Sequence, residues 1–163
     1  MADDRALLRR VALRDDAAFA ELVSRYQDRF FTVAHRLLGS RADAEDAVQR
    51  AFLNCFEKAA SYNPRWAVST WLYRILTNTC VDELRRRRSR GELPDPPPAP
   101  RPAAQLEVWR ALERVPVEAR LLLILRYVDG LTYRELARVR GITVNTVKSQ
   151  LARGKSILRK ALG

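Results

Sequence analysis

Apolar residues recur along most of the chain at steps of three and four, the spacing that gathers them on one face of an α-helix. One stripe runs through Phe19, Leu22, Val23, Tyr26, Phe30, Val33 and Leu37, with Asp15 and Asp16 placed to cap its start and Gly39 to close it. A second takes Ala44, Ala47, Val48, Ala51, Phe52, Cys55, Phe56 and Ala59, leaving Asp43, Asp46, Arg50, Asn54 and Glu57 outside it. Ser61-Tyr62-Asn63-Pro64 interrupts the pattern, because a proline disfavours helix in the residue before it. Ser69 and Thr70 are then placed to cap a third long helix from Trp71 to about Arg87, turning Leu72, Ile75, Leu76, Thr79 and Leu84 inward. No segment alternates convincingly enough to predict a strand, and no internal repeat is evident, so the expected fold class is all-α.

The periodicity stops between Arg90 and Gln105, where RGELPDPPPAPRPAAQ holds six of the eight prolines. Such a composition neither continues a helix nor builds a core. Two small helical domains are therefore expected, residues 1–90 and 106–163, joined by a Pro-rich linker over 91–105. In polyproline-like geometry, about 15 residues at roughly 3 Å each would reach about 45 Å. Beyond the linker, helices are predicted from Leu106 to Val115 and from Val117 to Val128, with Pro116 in the first turn of the second. Thr132-x-x-Glu135 is a capping box that starts a short helix at Tyr133, running to about Arg140; Gly141 supplies a turn and Thr143 caps a final helix. Leu136, Ala137, Ile142, Val147 and Leu151 can interlock, the small Ala137 letting the pair cross closely. Burying Val144, Val147 and Leu151 turns Asn145, Lys148, Ser149, Ala152, Arg153 and Ser156 toward solvent.

Charge sharpens this picture. The formal net charge is +11, and the basic excess lies in the two predicted domains rather than in the linker. From Leu136 to the end there are seven basic residues and no acidic one. A merely solvated helix pair does not account for that asymmetry, whereas a helix-turn-helix entering a DNA major groove does. Its exposed face would present hydrogen-bonding groups to base edges, with Lys155, Arg159 and Lys160 extending along the phosphates. Other classes fit poorly. The longest uninterrupted aliphatic run, Leu121 to Leu125, is far short of a membrane span, and the acidic N-terminus lacks a signal-peptide core, so no membrane insertion and a cytoplasmic location are expected. Cys55, Cys80 and His35 cannot supply the about four ligands of a structural zinc site, and the two cysteines read as buried thiols. No catalytic site is expected either, because Asp15-Asp16, Glu45-Asp46 and Asp82-Glu83 are adjacent pairs that diverge around a helix. No cofactor is called for.

The final helix pair, with its GLT…E…GI…NTVKS pattern, resembles the C-terminal domain of LuxR-type regulators nearly as well as any other helix-turn-helix, so the N-terminal half decides. There DAEDAVQRAFLNCFEKA (43–59) and STWLYRILTNTCVDELRRRR (69–88) resemble region two of the extracytoplasmic-function sigma factors of bacterial RNA polymerase. The residues that carry the likeness are Asp43-x-Glu45-Asp46-x-Val48-Gln49-x-x-Phe52, Trp71-Leu72-Tyr73-Arg74-Ile75 and Asn78-x-x-x-Asp82-x-x-Arg85. In that family a proline-bearing linker leads to region four, which residues 106–162 resemble along their whole length. A LuxR-type regulator, the alternative, should carry an α/β receiver or ligand-binding domain ahead of the helix-turn-helix, and no strands are predicted.

The resemblance implies a transcription initiation factor that binds core RNA polymerase and directs it to promoters. It places Asp43, Asp46, Gln49 and Phe52 against the clamp helices of the polymerase's largest subunit. Arg50 stands where the family usually has an acid, and Ala51 replaces a common threonine. Tyr62, Asn63, Arg65 and Trp66 fall in the loop that the family uses to hold a flipped base of the minus-ten element, with Trp71, Arg74, Asn78 and Arg85 on the adjacent helix. Trp71 reads equally as core, and Arg85 to Arg88 equally as a phosphate clamp or a solvated charge run. For the minus-thirty-five element the implied residues are Asn145, Thr146, Lys148, Ser149, Ala152, Arg153, Lys155 and Arg159. Implied partners are core RNA polymerase, promoter DNA and an anti-sigma factor.

Overall fold

The structure is a computed structural model that describes residues 3–91 and 103–163, and among them every regular element is helical. The chain divides into two compact units, Met1–Leu93 and Pro94–Gly163. Most of the predicted linker lies outside the described residues; its last three positions, Ala103 to Gln105, already belong to a helix.

The first unit opens with α1 (Asp4–Ala12), which the sequence reading did not anticipate. Asp3 caps it by accepting from the Ala6 amide at 2.7 Å, and Leu7, Leu8 and Val11 are buried. Asp4 fixes it to α2 (Asp16–Leu38), pairing with Arg25 at 2.9 Å and accepting from the Tyr26 hydroxyl. Burial first, and then the Asp4 carboxylate, hold the Tyr26 phenol well above its usual pKa. Asp15 caps α2, and Gly39, at φ 79°, ends it by donating to the His35 carbonyl. Helix α3 (Arg41–Lys58) follows at once, capped by Ser40, and passes into a single 3-10 turn over Ala59–Ser61.

The predicted stripes of α2 and α3 meet in this core. Phe30, 1% exposed, stacks on Phe52 with ring centroids 5.2 Å apart and tilts against Tyr73 at 5.3 Å. Tyr73, absent from the predicted inward set, is buried because α4 (Val68–Ser89) turns a wider face inward than that set described. Helix α4 also starts earlier than expected, with Ala67 at the N-cap and no side-chain cap. Ser69 and Thr70 sit inside the first turn. Burial of Val68 and Thr70 outweighs the about 1 kcal/mol that a capping hydroxyl contributes.

The second unit comprises α5 (Ala103–Arg114), α6 (Val117–Tyr127), α7 (Tyr133–Arg140) and α8 (Val144–Leu162). The α5–α6 corner is closed by Arg120, which donates to the Glu113 and Val115 carbonyls at 3.1 and 3.0 Å. Pro116 is the N-cap of α6 rather than part of its first turn. The Thr132/Glu135 capping box forms as expected, and Gly141 turns the chain at φ 66° into Thr143, which caps α8. Arg140 ties α7 to α6 through both carboxylate oxygens of Glu118, at 2.8 and 3.1 Å. Between α6 and α8 the chain packs closely at Gly154, where an added Cβ would lie 2.8 Å from Leu123 Cδ1 and 3.5 Å from Ala119 Cβ. Ala137 is also buried, but the residue that lets α8 cross α6 is Gly154.

Candidate nucleic-acid and protein interfaces

The turn over Ala59–Ser61 and the helix-disfavouring Asn63-Pro64 force the chain into a short loop before α4. Inside it, the Asn63 side chain accepts from the Arg65 amide at 3.0 Å and the Asn63 carbonyl accepts from the Trp66 amide at 3.0 Å. The Tyr62 hydroxyl donates to the Trp66 carbonyl, which closes the loop on itself. Trp71 meets the Tyr62 ring edge-on at 5.5 Å, and the Arg74 guanidinium lies 5.3 Å from the centre of the Trp66 ring. Six of the predicted minus-ten residues are thus brought together. Tyr62, Trp66 and Trp71 are each half-buried, so Trp71 is neither plain core nor free surface: it braces Tyr62. Trp71, Arg74, Asn78 and Arg85 share one face of α4 by their spacing, with Asn78 and Arg85 exposed. Aromatic faces held by local hydrogen bonds beside a guanidinium have the chemistry to stack a planar base, an interaction worth roughly 1–3 kcal/mol.

The arginine run after Leu84 splits by helical position. Arg85 and Arg88 are exposed, whereas Arg87 is 8% exposed, donating to the Leu38 carbonyl at 2.8 Å and pairing with Asp43. Glu83, 8% exposed, gathers Arg86 at 2.5 Å, Arg50 at 3.5 Å, and Arg87 and Arg90 at 3.7 Å. Arg50 also meets Asp46 at 3.0 Å. Its departure from the family pattern therefore has a local role, bridging α3 to α4. Neither Glu83 nor Arg87 was singled out in the sequence for this inward pairing. The only signal was the acidic pair Asp82-Glu83 placed just ahead of a block of arginines.

The four residues expected on the polymerase-facing surface separate in the same way. Asp46 and Gln49 are exposed, Asp43 is engaged by Arg87, and Phe52 is 6% exposed with one face on Phe30. Beside them a groove of about 1000 Å³ lies between α2 and α3, lined by Phe19, Val23, Phe31, Gln49, Phe52 and Leu53 among others. Leu53 is 53% exposed and was missed. Phe19, Val23, Gln27 and Phe31 recur every four residues along the groove edge of α2; of these, Phe31 is the apolar residue that the predicted stripe omitted.

On α8, Asn145, Lys148, Ser149, Ala152, Arg153 and Arg159 are exposed as expected, while Val144 and Ile142 are only half-buried. Two hydroxyls have local partners: Thr146 Oγ1 lies 2.9 Å from Thr143 Oγ1, and Ser149 donates to the Asn145 carbonyl at 3.1 Å. Lys155 is half-buried, with its ammonium 5.2 Å from the Tyr127 ring centre. Among the described residues no helix is long and apolar enough to cross a membrane, and no cluster of ligating side chains could hold a metal. Cys55 and Cys80 are both buried.

Residues 22–90 match Sigma-70 region 2, and residues 105–158 match Sigma-70 region 4. The chain is 36% identical to the ECF RNA polymerase sigma factor SigM of Mycobacterium tuberculosis H37Rv, over 98% of this chain and 85% of that protein. It is 29% identical to the ECF RNA polymerase sigma factor SigW of Bacillus subtilis, over 95% and 94%. Among solved structures it is similar to CnrH in complex with the cytosolic domain of CnrY, at TM-score 0.78 and 26% identity, covering 98% of this chain and 96% of that one.

Proposed function

The chain belongs to the extracytoplasmic-function RNA polymerase sigma factors, and we propose that it works through three surfaces: the 62–66 loop with α4, the exposed face of α8, and the α2–α3 groove. As a sigma factor it is a transcription initiation factor that associates with core RNA polymerase and promoter DNA. The match of residues 22–90 to Sigma-70 region 2 disfavours the LuxR-type alternative.

In this proposal residues 1–90 act as region two, 106–163 as region four, and 91–105 as the linker. The carrying observation is the Tyr62–Trp66 platform, closed by the Tyr62 hydroxyl on the Trp66 carbonyl and flanked by Arg74. Opening a promoter without a nucleotide fuel requires that an unpaired base find a partner for its lost stacking, and this platform offers one. Asn63, Arg65, Trp71, Asn78 and Arg85 frame the same strand. On α8, Asn145, Lys148 and Arg153 reach toward base edges, Thr146, Ser149 and Ala152 fit closely against the groove, and Lys155 and Arg159 serve the phosphates. Gln49, Asp46 and Leu53, with the edge of Phe52, form the docking surface for the clamp helices. Asp43 supports it from behind through Arg87.

CnrH is solved with the cytosolic domain of CnrY, and a protein partner of anti-sigma type is proposed here as well, covering the α2–α3 groove in competition with core polymerase. The protein is proposed to act in the cytoplasm and to catalyse no reaction of its own.

The test places 2-aminopurine in the minus-ten segment of a promoter fragment and follows its fluorescence on addition of holoenzyme. Native protein should give a rise as the base unstacks. Tyr62→Ala/Trp66→Ala should abolish the rise while retaining core binding, and an undiminished rise in that variant refutes the platform.

A further inference from the structure

Helix α1 packs against the 3-10 turn at the foot of the base-holding loop, and the two enclose a cleft of about 280 Å³. Arg5, Leu8 and Arg9 line it from α1, and Ala60, Tyr62 and Pro64 line it from the other side. Arg5 and Arg9 stand four residues apart, on one helix face, and both are exposed. Their neighbours are engaged: Arg10 pairs with Asp15 at 2.8 Å, and Arg14 donates to the Phe56 carbonyl at 2.7 Å. Among the described residues Arg5 and Arg9 make no ion pair, so the two guanidinium groups that line the cleft keep their charge free. Tyr62 is shared. Its ring meets Trp71 edge-on in the base platform, and it also forms part of the cleft wall.

We propose that this cleft binds the sugar-phosphate backbone of the displaced DNA strand next to the base held at Tyr62 and Trp66, with Arg5 and Arg9 as its phosphate ligands. The inference rests on the base-holding role of the loop and extends the site to an element outside it. A strand whose base is taken onto Tyr62 must carry its neighbouring phosphates past one side of that ring. The Arg5–Arg9 side combines free positive charge with the small apolar Ala60 and Pro64, which admit the sugar closely. Guanidinium groups suit this task, since their planar forks match phosphate oxygens in pairs.

The experiment uses holoenzyme on forked DNA whose single-stranded minus-ten segment comes from a promoter that the native holoenzyme melts. A neutral methylphosphonate replaces one backbone position at a time. For native protein, one or two positions beside the captured base should each weaken binding roughly tenfold, the scale of one charge-assisted hydrogen bond. In Arg5→Ala/Arg9→Ala the intact strand should bind that much more weakly, and those same positions should lose their effect. The salt slope should also fall by about 1.4, from about 0.7 per phosphate on a single strand. Arg5→Lys/Arg9→Lys should recover part of the affinity. Arg36→Glu, at an exposed position on α2, changes net charge by the same amount and should leave the phosphate profile intact. If Arg5→Ala/Arg9→Ala shows the native profile, or if Arg36→Glu erases it equally, the cleft is not a strand site. Failure of native holoenzyme to unstack the base would instead refute the platform on which the inference rests, so the two failures are distinct.

Discussion

Arg87→Met probes the joint that holds α4 to the rest of the first unit. The guanidinium is buried, donates to the Leu38 carbonyl at 2.8 Å, and pairs with Asp43. Methionine keeps most of the packing volume but leaves that carbonyl without its charged donor, a loss of about 1–3 kcal/mol. The ion pair adds about 1 kcal/mol, since the Asp43 side chain is 38% exposed and water can take over part of its solvation. Glu83 keeps Arg50, Arg86 and Arg90, so it is not stranded. The expected cost is about 3 kcal/mol for Arg87→Met and about 1 kcal/mol for Asp43→Asn, with a coupling of about 1 kcal/mol in the double-mutant cycle. Urea unfolding in a Trp109→Phe background leaves Trp66 and Trp71 as reporters of this unit. With a slope of about 1.5 kcal/mol/M, the Arg87→Met midpoint should fall by about 2 M. A fall below about 0.3 M would refute the structural role of the pair. So would an Asp43→Asn variant that keeps full stability yet loses core polymerase binding, because Asp43 would then act as a contact residue.

Two further outcomes are expected. Arg153→Ala should weaken binding to the minus-thirty-five element by about 1–3 kcal/mol, whereas Lys160→Ala should weaken all duplexes about equally; matched promoter and scrambled duplexes in a holoenzyme binding assay separate the two. Burial pushes the Cys55 thiol up to about 12, so the folded state holds that proton more tightly than the unfolded chain does. Its contribution to stability should be complete below about pH 9 and should decline between about pH 9 and 12. Alkylation of Cys55 at pH 8, read by mass spectrometry, should be slow until the unit unfolds.

Much of this was legible in the sequence where local rules and burial agree. The α2 and α3 stripes, the Thr132/Glu135 capping box and the Gly141 turn all follow from short-range chemistry, and each forms as expected. The misses share a different cause. Helix α1 is short, and tertiary contacts hold it through Leu7, Leu8, Val11 and Asp4, which periodicity over nine residues does not reveal. Arg87 points inward because Asp43 and the Leu38 carbonyl, each more than forty residues away in sequence, await it there. The position of Gly154 at the α6–α8 crossing likewise depends on Leu123 and Ala119 on another helix. The residue types near the loop were readable, but not the bracing of Tyr62 by Trp71 or the place of Phe31 and Leu53 in the α2–α3 groove.

The most direct measurement is transcription in vitro with bacterial core enzyme, with and without this protein, on genomic fragments including the one upstream of its own gene, with permanganate footprinting of unpaired thymines. Initiation should require the protein and coincide with melting around minus ten. Sequence-specific binding should be weak for the free chain and strong for the holoenzyme. Tight operator binding by the free chain, with no association with core enzyme and no added initiation, would contradict the assignment of this chain as a polymerase subunit that opens promoters.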